Sequence, residues 1–151
     1  MFHRYDYEAE FYPALSRLPL DLRRKLDVTG IKISLKHWLA YGLEERAVLC
    51  HLPCDSDDEK EVFRSYLDFL SGKYLGQPTE KSAVMSEALW SDSTVPEAVV
   101  ERCQSLRESI TLEEWRGWRS PHRFALYKTA VSKSQPEAFE QVLRQLRKLL
   151  S

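Results

Sequence analysis

Residues 33–38 read ISLKHW, and the same pattern recurs as ITLEEW at residues 110–115, a shift of 77 positions (110 minus 33). The correspondence extends without a gap in both directions, and Pro19 aligns with Pro96 at its upstream end. Self-similarity at a fixed spacing is the sequence signature of a repeated structural unit. We therefore interpret the chain as a tandem duplication.

The length of 151 residues is that of one domain. A chain of this size buries roughly 68–70% of the surface that it exposes when unfolded, so it needs no disulfide or metal to fold. We predict a single domain over 1–151, with an internal repeat over 19–75, a linker over 76–94 and a second repeat over 95–150.

Each repeat predicts the same series of helices: a short helix, a turn, a second short helix, a third helix and a longer fourth one. Gly30 is placed to end the first helix in a left-handed conformation. Ser34 and Thr111 are placed to cap the second helix of each repeat, and Glu114 would complete a capping box with Thr111. Runs of β-branched residues are scarce, so the predicted fold class is all-α.

The N-terminal residues 2–12 are rich in aromatic side chains. The alternation over 7–11, YEAEF, has a period of two residues and favours an extended arm that packs on the body of the protein. A short helix is the alternative. In either form the aromatic rings are the groups expected to hold this segment in place.

Composition restricts the classes of function. The net charge is −1 and the pI is about 6.4, whereas a nucleic-acid-binding module usually carries a basic excess. No apolar run approaches the ~20 residues of a membrane span, and the first residues lack the apolar core of a signal peptide. The 3 cysteines form no disulfide framework. We expect a soluble, reduced, cytoplasmic protein that binds neither nucleic acid nor membrane.

Two pairs of matched residues are candidate site residues. Trp38 and Trp115 are expected to fill the core of each repeat, because large aromatic side chains dominate core packing; the alternative is a stacking platform for a planar ligand. Arg46 and Arg123 are expected to bind neighbouring carbonyl or carboxylate groups. Alternatively, their forked donors could form a paired clamp for an anion.

A basic cluster is the strongest electrostatic feature of the sequence. Its members are Arg17, Arg23, Arg24, Lys25, Lys32 and Lys36, and three of them lie on the first helix. A charged outer helix face is usually just solvated. The alternative is a surface for an acidic partner or an anionic ligand.

No catalytic chemistry is evident. Residues 50–54, CHLPC, suggest metal binding, but zinc generally needs four ligands and the chain has no second cluster of this kind. Ser-His-Asp order, a glycine-rich phosphate loop and an HExxH motif are all missing from the sequence. We predict no catalytic residue, no metal site and no cofactor, and hence a protein that is not an enzyme.

The chain also resembles a known family, the nitrate reductase associated proteins, which are small proteins typical of cyanobacteria and often encoded beside nitrate reductase and molybdenum-cofactor genes. The resemblance covers most of the chain. It rests on Tyr7-Glu8-Ala9-Glu10-Phe11, Leu18-Pro19, Lys25-Leu26-Asp27, Gly30-Ile31-Lys32, Leu35, Trp38, Glu45-Arg46, Leu52-Pro53-Cys54, Trp90, Val95-Pro96, Ile110-Thr111-Leu112-Glu113-Glu114-Trp115 and Arg123-Phe124-Ala125-Leu126.

The resemblance implies an accessory protein that assimilatory nitrate reductase needs for its activity, in maturation, cofactor insertion or electron supply. The implied partner is therefore the molybdenum enzyme nitrate reductase, and no catalytic residue is implied. The alternative function is a binder of a small anion or of the molybdenum-pterin cofactor through the basic and aromatic surface. Self-association into a homo-oligomer is a further prediction.

Overall fold

A computed structural model of the chain describes residues 1–149. Helices make up 62% of the chain and strands very little, so the predicted all-α class is confirmed at that level. The final position of the predicted second repeat, residue 150, lies outside the described residues. Among the residues described, no helix combines the length and the apolar character that crossing a membrane requires.

The chain divides into two compact units. The first contains residues 1–4 and 8–86. Its longest helix, α4, packs on the first two helices, and α3 packs on α1. The helices and strands of this unit are α1 (Leu20–Thr29), β1 (Ile31–Lys32), α2 (Leu35–Ala40), α3 (Leu43–His51), α4 (Asp57–Leu75) and β2 (Glu80–Lys81).

The second unit contains residues 5–7 and the chain from Glu87 onward. Here the third helix, α7, is central and packs on α5, on α8 and on a 3₁₀ helix at Glu87–Trp90. The α-helices of this unit are α5 (Glu97–Ser105), α6 (Leu112–Gly117), α7 (Ser120–Val131) and α8 (Ala138–Leu149).

Helix ends follow the local signals of the sequence. Gly30 ends α1 with φ +71°, and a Cβ at this position would lie 2.9 Å from the Ser82 carbonyl oxygen, so both the backbone and the available space favour glycine. Ser34 Oγ accepts a hydrogen bond from the His37 N–H at 3.1 Å and caps α2, as predicted.

The predicted capping box at the start of α6 is only half formed. Thr111 Oγ1 accepts from the Glu114 N–H at 3.1 Å. The carboxylate of Glu114, however, binds Arg147 of α8 at 2.9 and 3.0 Å instead of the backbone. The second part of the prediction is therefore wrong, because a two-pronged contact with a guanidinium is stronger than a bond to a neutral N–H.

The helix starts of the two units are related by the shift found in the sequence. The first three helices of unit one begin at Leu20, Leu35 and Leu43, and the first three of unit two begin 77 positions later. The fourth helices differ, since α4 has 19 residues and α8 has 12. The units also differ in their central helix, which is the long fourth helix α4 in unit one and the third helix α7 in unit two.

The N-terminal segment forms a 3₁₀ helix at Asp6–Phe11, so the extended arm favoured by the alternation is wrong and the helical alternative holds for these residues. Among its side chains, Glu8 is buried, and both of its oxygens accept from the N–H of Leu20 at the start of α1. This hydrogen bond accounts for the helical form of the segment, because it requires the side chain of Glu8 to point inward. In the extended arm, the aromatic residues on either side of Glu8 would point inward instead.

Candidate functional site

The two matched tryptophans fill the cores of their units. Both side chains are fully buried. Trp38 Nε1 donates to the Leu15 carbonyl at 2.8 Å, and Trp115 Nε1 donates to the Ser91 carbonyl at 2.7 Å. Each indole thus ties the segment that precedes its repeat to the second helix. Neither ring has a face open to solvent, which a stacking platform for a planar ligand would need.

The matched arginines are used to different extents. Arg123 Nε donates to the Trp90 carbonyl at 2.8 Å, and its Nη1 donates to the Trp118 carbonyl. Arg46 makes one long hydrogen bond, from Nη1 to the Leu15 carbonyl at 3.5 Å, and its guanidinium lies 6.0 Å from the centroid of the Trp38 ring, while its buried Nε has no hydrogen-bond partner. A carbonyl-binding role therefore describes Arg123 well and Arg46 poorly. The paired anion clamp stays a prediction.

The expected basic outer face of α1 is wrong for two of its three members. Arg23 is exposed, but Arg24 and Lys25 are buried. Their charges are compensated by Asp21, which is also buried: Arg24 Nε lies 2.9 Å and Lys25 Nζ 3.8 Å from its carboxylate. Sequence reasoning counted the three cations and overlooked the acid one turn earlier.

Lys25 is a cap for another helix. Its ammonium donates to the carbonyl of Cys50 in the last turn of α3, where a cation interacts favourably with the helix dipole. Burial lowers the pKa of this lysine, and the Asp21 carboxylate opposes the effect. Arg102, which matches Lys25 in the second repeat, donates to the carbonyls of Ala130 and Ser132 at the end of α7 at 3.0 and 3.1 Å.

Of the predicted basic residues, Lys32 lines a cleft of about 290 Å³ in the first unit. The cleft lies between β1, the end of α2, the end of α4 and the segment that leads into β2. Its lining residues are Lys32, Ile33, His37, Tyr41, Ser71, Gln77, Pro78, Thr79 and Glu80. We call this the Lys32 cleft. It brings none of the other predicted basic residues next to Lys32.

The Lys32 cleft has a rigid back wall. Thr79 is buried, and its hydroxyl donates to Asp68 Oδ1 at 2.5 Å and accepts from Lys81 Nζ at 3.0 Å. The Ser71 hydroxyl donates to the Gln77 carbonyl at 2.6 Å. These bonds fasten the segment between α4 and β2 to the end of α4, so the shape of the cleft does not depend on a free loop.

Helix α4 carries a second apolar face that the sequence analysis missed. Phe63 and Leu67 of this helix point into the core, whereas Val62 is 56% exposed and Phe69 is 60% exposed. The half-buried ring of Tyr66 stacks on Phe69 with a centroid distance of 6.4 Å. Val62, Tyr66 and Phe69 form what we call the outer α4 stripe; their i, i+4, i+7 spacing was the signal that could have found it.

Comparison with known proteins agrees with the resemblance drawn from the sequence. The profile of a family described as conserved nitrate reductase-associated protein matches residues 4–146. The chain belongs to this family. Neither the curated proteins nor the solved structures contain a match.

The three cysteines of this nitrate reductase-associated protein are all free and buried. Burial raises the pKa of the Cys50 thiol to about 12 and that of Cys54 to about 11, and it also raises the pKa of Cys103. A thiol is nucleophilic only as the thiolate. Within residues 1–149, no three histidine, cysteine or acidic side chains are grouped so that they could hold a metal ion.

Proposed function

We propose that this protein is a non-enzymatic, cytoplasmic accessory partner of an assimilatory, molybdenum-containing nitrate reductase, acting in its maturation, cofactor insertion or electron supply. The observation that carries the proposal is membership of the nitrate reductase-associated family over residues 4–146. The three buried thiols support a non-catalytic role, because their raised pKa values keep them protonated near neutral pH.

The outer α4 stripe is the surface best suited to bind the reductase. A stripe of exposed apolar side chains on one helix face is a common form of protein-recognition surface. Phe69 and Val62 are each more than half exposed although the opposite face of the same helix is already packed. The stacked rings of Tyr66 and Phe69 could therefore pack into a groove on the enzyme.

The first experiment tests the accessory role in the cell. Deletion of the gene is expected to lower nitrate reductase activity and growth on nitrate, and the tagged protein is expected to co-purify the reductase. Growth on ammonium serves as the control, since it does not need the enzyme. Normal reductase activity in the deletion strain would contradict the accessory role whatever surface is used.

The second experiment tests the outer α4 stripe. The double variant Val62→Ser, Phe69→Ser removes exposed apolar area, so we expect capture of the reductase to fall by about tenfold or more while the thermal midpoint is retained. Val131→Ser, at a 44% exposed position on α7, is the matched control and is expected to bind as wild type.

Two other results would reassign the stripe. Undiminished capture by the double variant would exclude this surface as the docking site. If sedimentation instead shows a dimer of the wild type that the double variant loses, the stripe binds a second copy of the chain.

We also infer that the two units arose by duplication of one helical unit. The equal spacing of the first three helix starts supports this, as does the matched chemistry of Lys25 with Arg102 and Trp38 with Trp115. Side chains that make equivalent contacts in both copies stabilise the fold. Residues that bind a partner or ligand are therefore expected at positions where the two copies differ.

A further inference from the structure

We propose that the Lys32 cleft binds a small carboxylate metabolite that also carries a hydroxyl or amino group. The inference is separate from association with nitrate reductase, because it concerns a different surface from the outer α4 stripe. It rests on the polar groups of the cleft that the described chain leaves without partners, on the size of the cleft, and on a comparison of the two repeats.

The first observation is an unsatisfied hydroxyl. Tyr41 is buried, lines the cleft, and its Oη has no hydrogen-bond partner in the described structure. Burial raises the pKa of this phenol, and the neighbouring Ser71 hydroxyl opposes the rise. Buried polar groups are nearly always bonded, so an orphaned phenol in a cleft indicates a missing partner.

The second observation is the set of groups at the opening of the cleft. The ammonium of Lys32 and the imidazole ring of His37 make no hydrogen bond or ion pair with residues 1–149, although both line the cleft. Lys32 stands directly across from Glu80 in the β1–β2 ladder, but the two charges are not within ion-pair distance. Neighbouring side chains therefore do not neutralise the positive charge of Lys32.

These groups select a particular chemistry. A carboxylate accepts charge-assisted hydrogen bonds from an ammonium and further bonds from an imidazole N–H or a phenol. The carboxylate of Glu80, on the facing strand, can accept a hydrogen bond from a hydroxyl or amino group of the ligand. The volume of about 290 Å³ is at the low end for small-molecule sites. A lone nitrate ion would leave most of it empty.

The third observation is that the second repeat does not keep Lys32 and His37 of the cleft. Shifted by 77, Lys32 and His37 become Ser109 and Glu114. Glu114 is already bound to Arg147, and the Ser109 carbonyl oxygen accepts a hydrogen bond from the same arginine. A smaller pocket of about 130 Å³ lies at Ser109 in the second copy, but the cation and the imidazole of the Lys32 cleft have no counterpart there.

The test is isothermal titration calorimetry of the full chain. L-malate and L-glutamate are the probes with a second donor group, whereas acetate and nitrate are probes without one. We expect saturable binding of malate or glutamate and much weaker binding of acetate and nitrate. Lys32→Met should weaken binding by about tenfold or more, the size of effect expected from losing a charge-assisted hydrogen bond. Lys36→Met, at an exposed lysine outside the cleft, is the matched control and should bind as wild type.

Tyr41→Phe separates binding from folding. Because the hydroxyl has no partner in the described structure, its removal should leave the thermal midpoint of the unliganded protein unchanged or raised, while it weakens ligand binding. Absence of binding by malate and glutamate, equal binding of nitrate or acetate, or wild-type affinity in either Lys32→Met or Tyr41→Phe would overturn the proposal.

Discussion

The buried carboxyl group of Glu8 holds the start of helix α1. It is 4% exposed, accepts from the Leu20 N–H at 2.9 and 3.3 Å, and accepts from the Tyr12 hydroxyl at 2.7 Å. Pro19 at the N-cap position has no side chain that could do this. Burial raises the pKa of Glu8 to about 7, because loss of solvent outweighs these hydrogen bonds.

This raised pKa predicts a pH-dependent stability. Between about pH 4.5 and 7 the folded state binds more protons than the unfolded state, so the stability contributed by Glu8 is present at low pH and is lost as the pH rises through 7. The loss should reach about 3 kcal/mol at most, since one pKa unit corresponds to about 1.4 kcal/mol. Glu8→Gln should remove this dependence.

Urea unfolding at pH 5 and pH 8 measures the effect. The difference in free energy of unfolding between Glu8→Gln and wild type should shift in favour of the variant at pH 8. Glu10→Gln is the control, because Glu10 is exposed two positions away. A difference that is the same at both pH values would show that Glu8 does not titrate in this range.

At the scale of elements, the third helix of each repeat is held by cations from its neighbours. The first helix supplies the cation at its C-terminal end, Lys25 for α3 and Arg102 for α7. The arginine of the third helix itself binds carbonyls of the preceding segment well only in α7. Helix α7 is also the central helix of its unit, so it has more packed neighbours to position.

This asymmetry predicts unequal costs for two equivalent substitutions. Arg123→Lys cannot keep both the Nε bond to Trp90 and the Nη1 bond to Trp118, so it should lower the free energy of unfolding by about 1–2 kcal/mol. Arg46→Lys loses one long contact and should cost no more than about 0.5 kcal/mol. Each variant is the other's matched control in urea unfolding. Equal losses would mean that the carbonyl bonds of Arg123 add no stability.

At the scale of the whole molecule, the balance of basic and acidic residues determines whether the protein can bind nucleic acid. The chain carries 22 basic and 23 acidic residues, and several of the cations are committed to acids or carbonyls, as for Arg147 with Glu108 and Glu114. The sequence therefore has no excess of positive charge with which to neutralise phosphates, and binding of nucleic acid depends strongly on that neutralisation.

We therefore expect no shift of duplex DNA or of RNA in a gel at low salt, where electrostatic binding is strongest. A basic protein of similar size is the positive control. A shifted band that disappears as salt is raised would contradict the prediction and would require a basic surface of sufficient size to account for it.

Prediction from sequence succeeded where the deciding contact is local. The caps at Gly30, Ser34 and Thr111 involve neighbours within a few positions of the chain, so their chemistry can be read from spacing alone. It failed where a partner comes from far along the chain. Glu114 bonds to a residue 33 positions away, and no local rule indicates that it leaves its capping box.

The candidate site shows the same division. Lys32 was singled out from its charge, but the orphaned hydroxyl of Tyr41 and the second face of α4 were not, because both depend on which side chains the rest of the fold covers. Burial of Lys25 escaped prediction for the same reason. A lysine beside two arginines suggests a solvated face until Asp21 and the end of α3 are placed against it.

The sequence by itself determined the helical class, the helix ends at Gly30, Ser34 and Thr111, and the 77-residue shift, since capping groups and a 3.6-residue periodicity act within short segments. Only the tertiary structure decided which charges are buried, which of two matched arginines is fully bonded, and that the hydroxyl of Tyr41 lies unbonded in a cleft. Those outcomes depend on segments far apart in the sequence, which exclude solvent from a side chain and supply its hydrogen-bond and ion-pair partners. The spacing of residues along the chain does not show which segments these are.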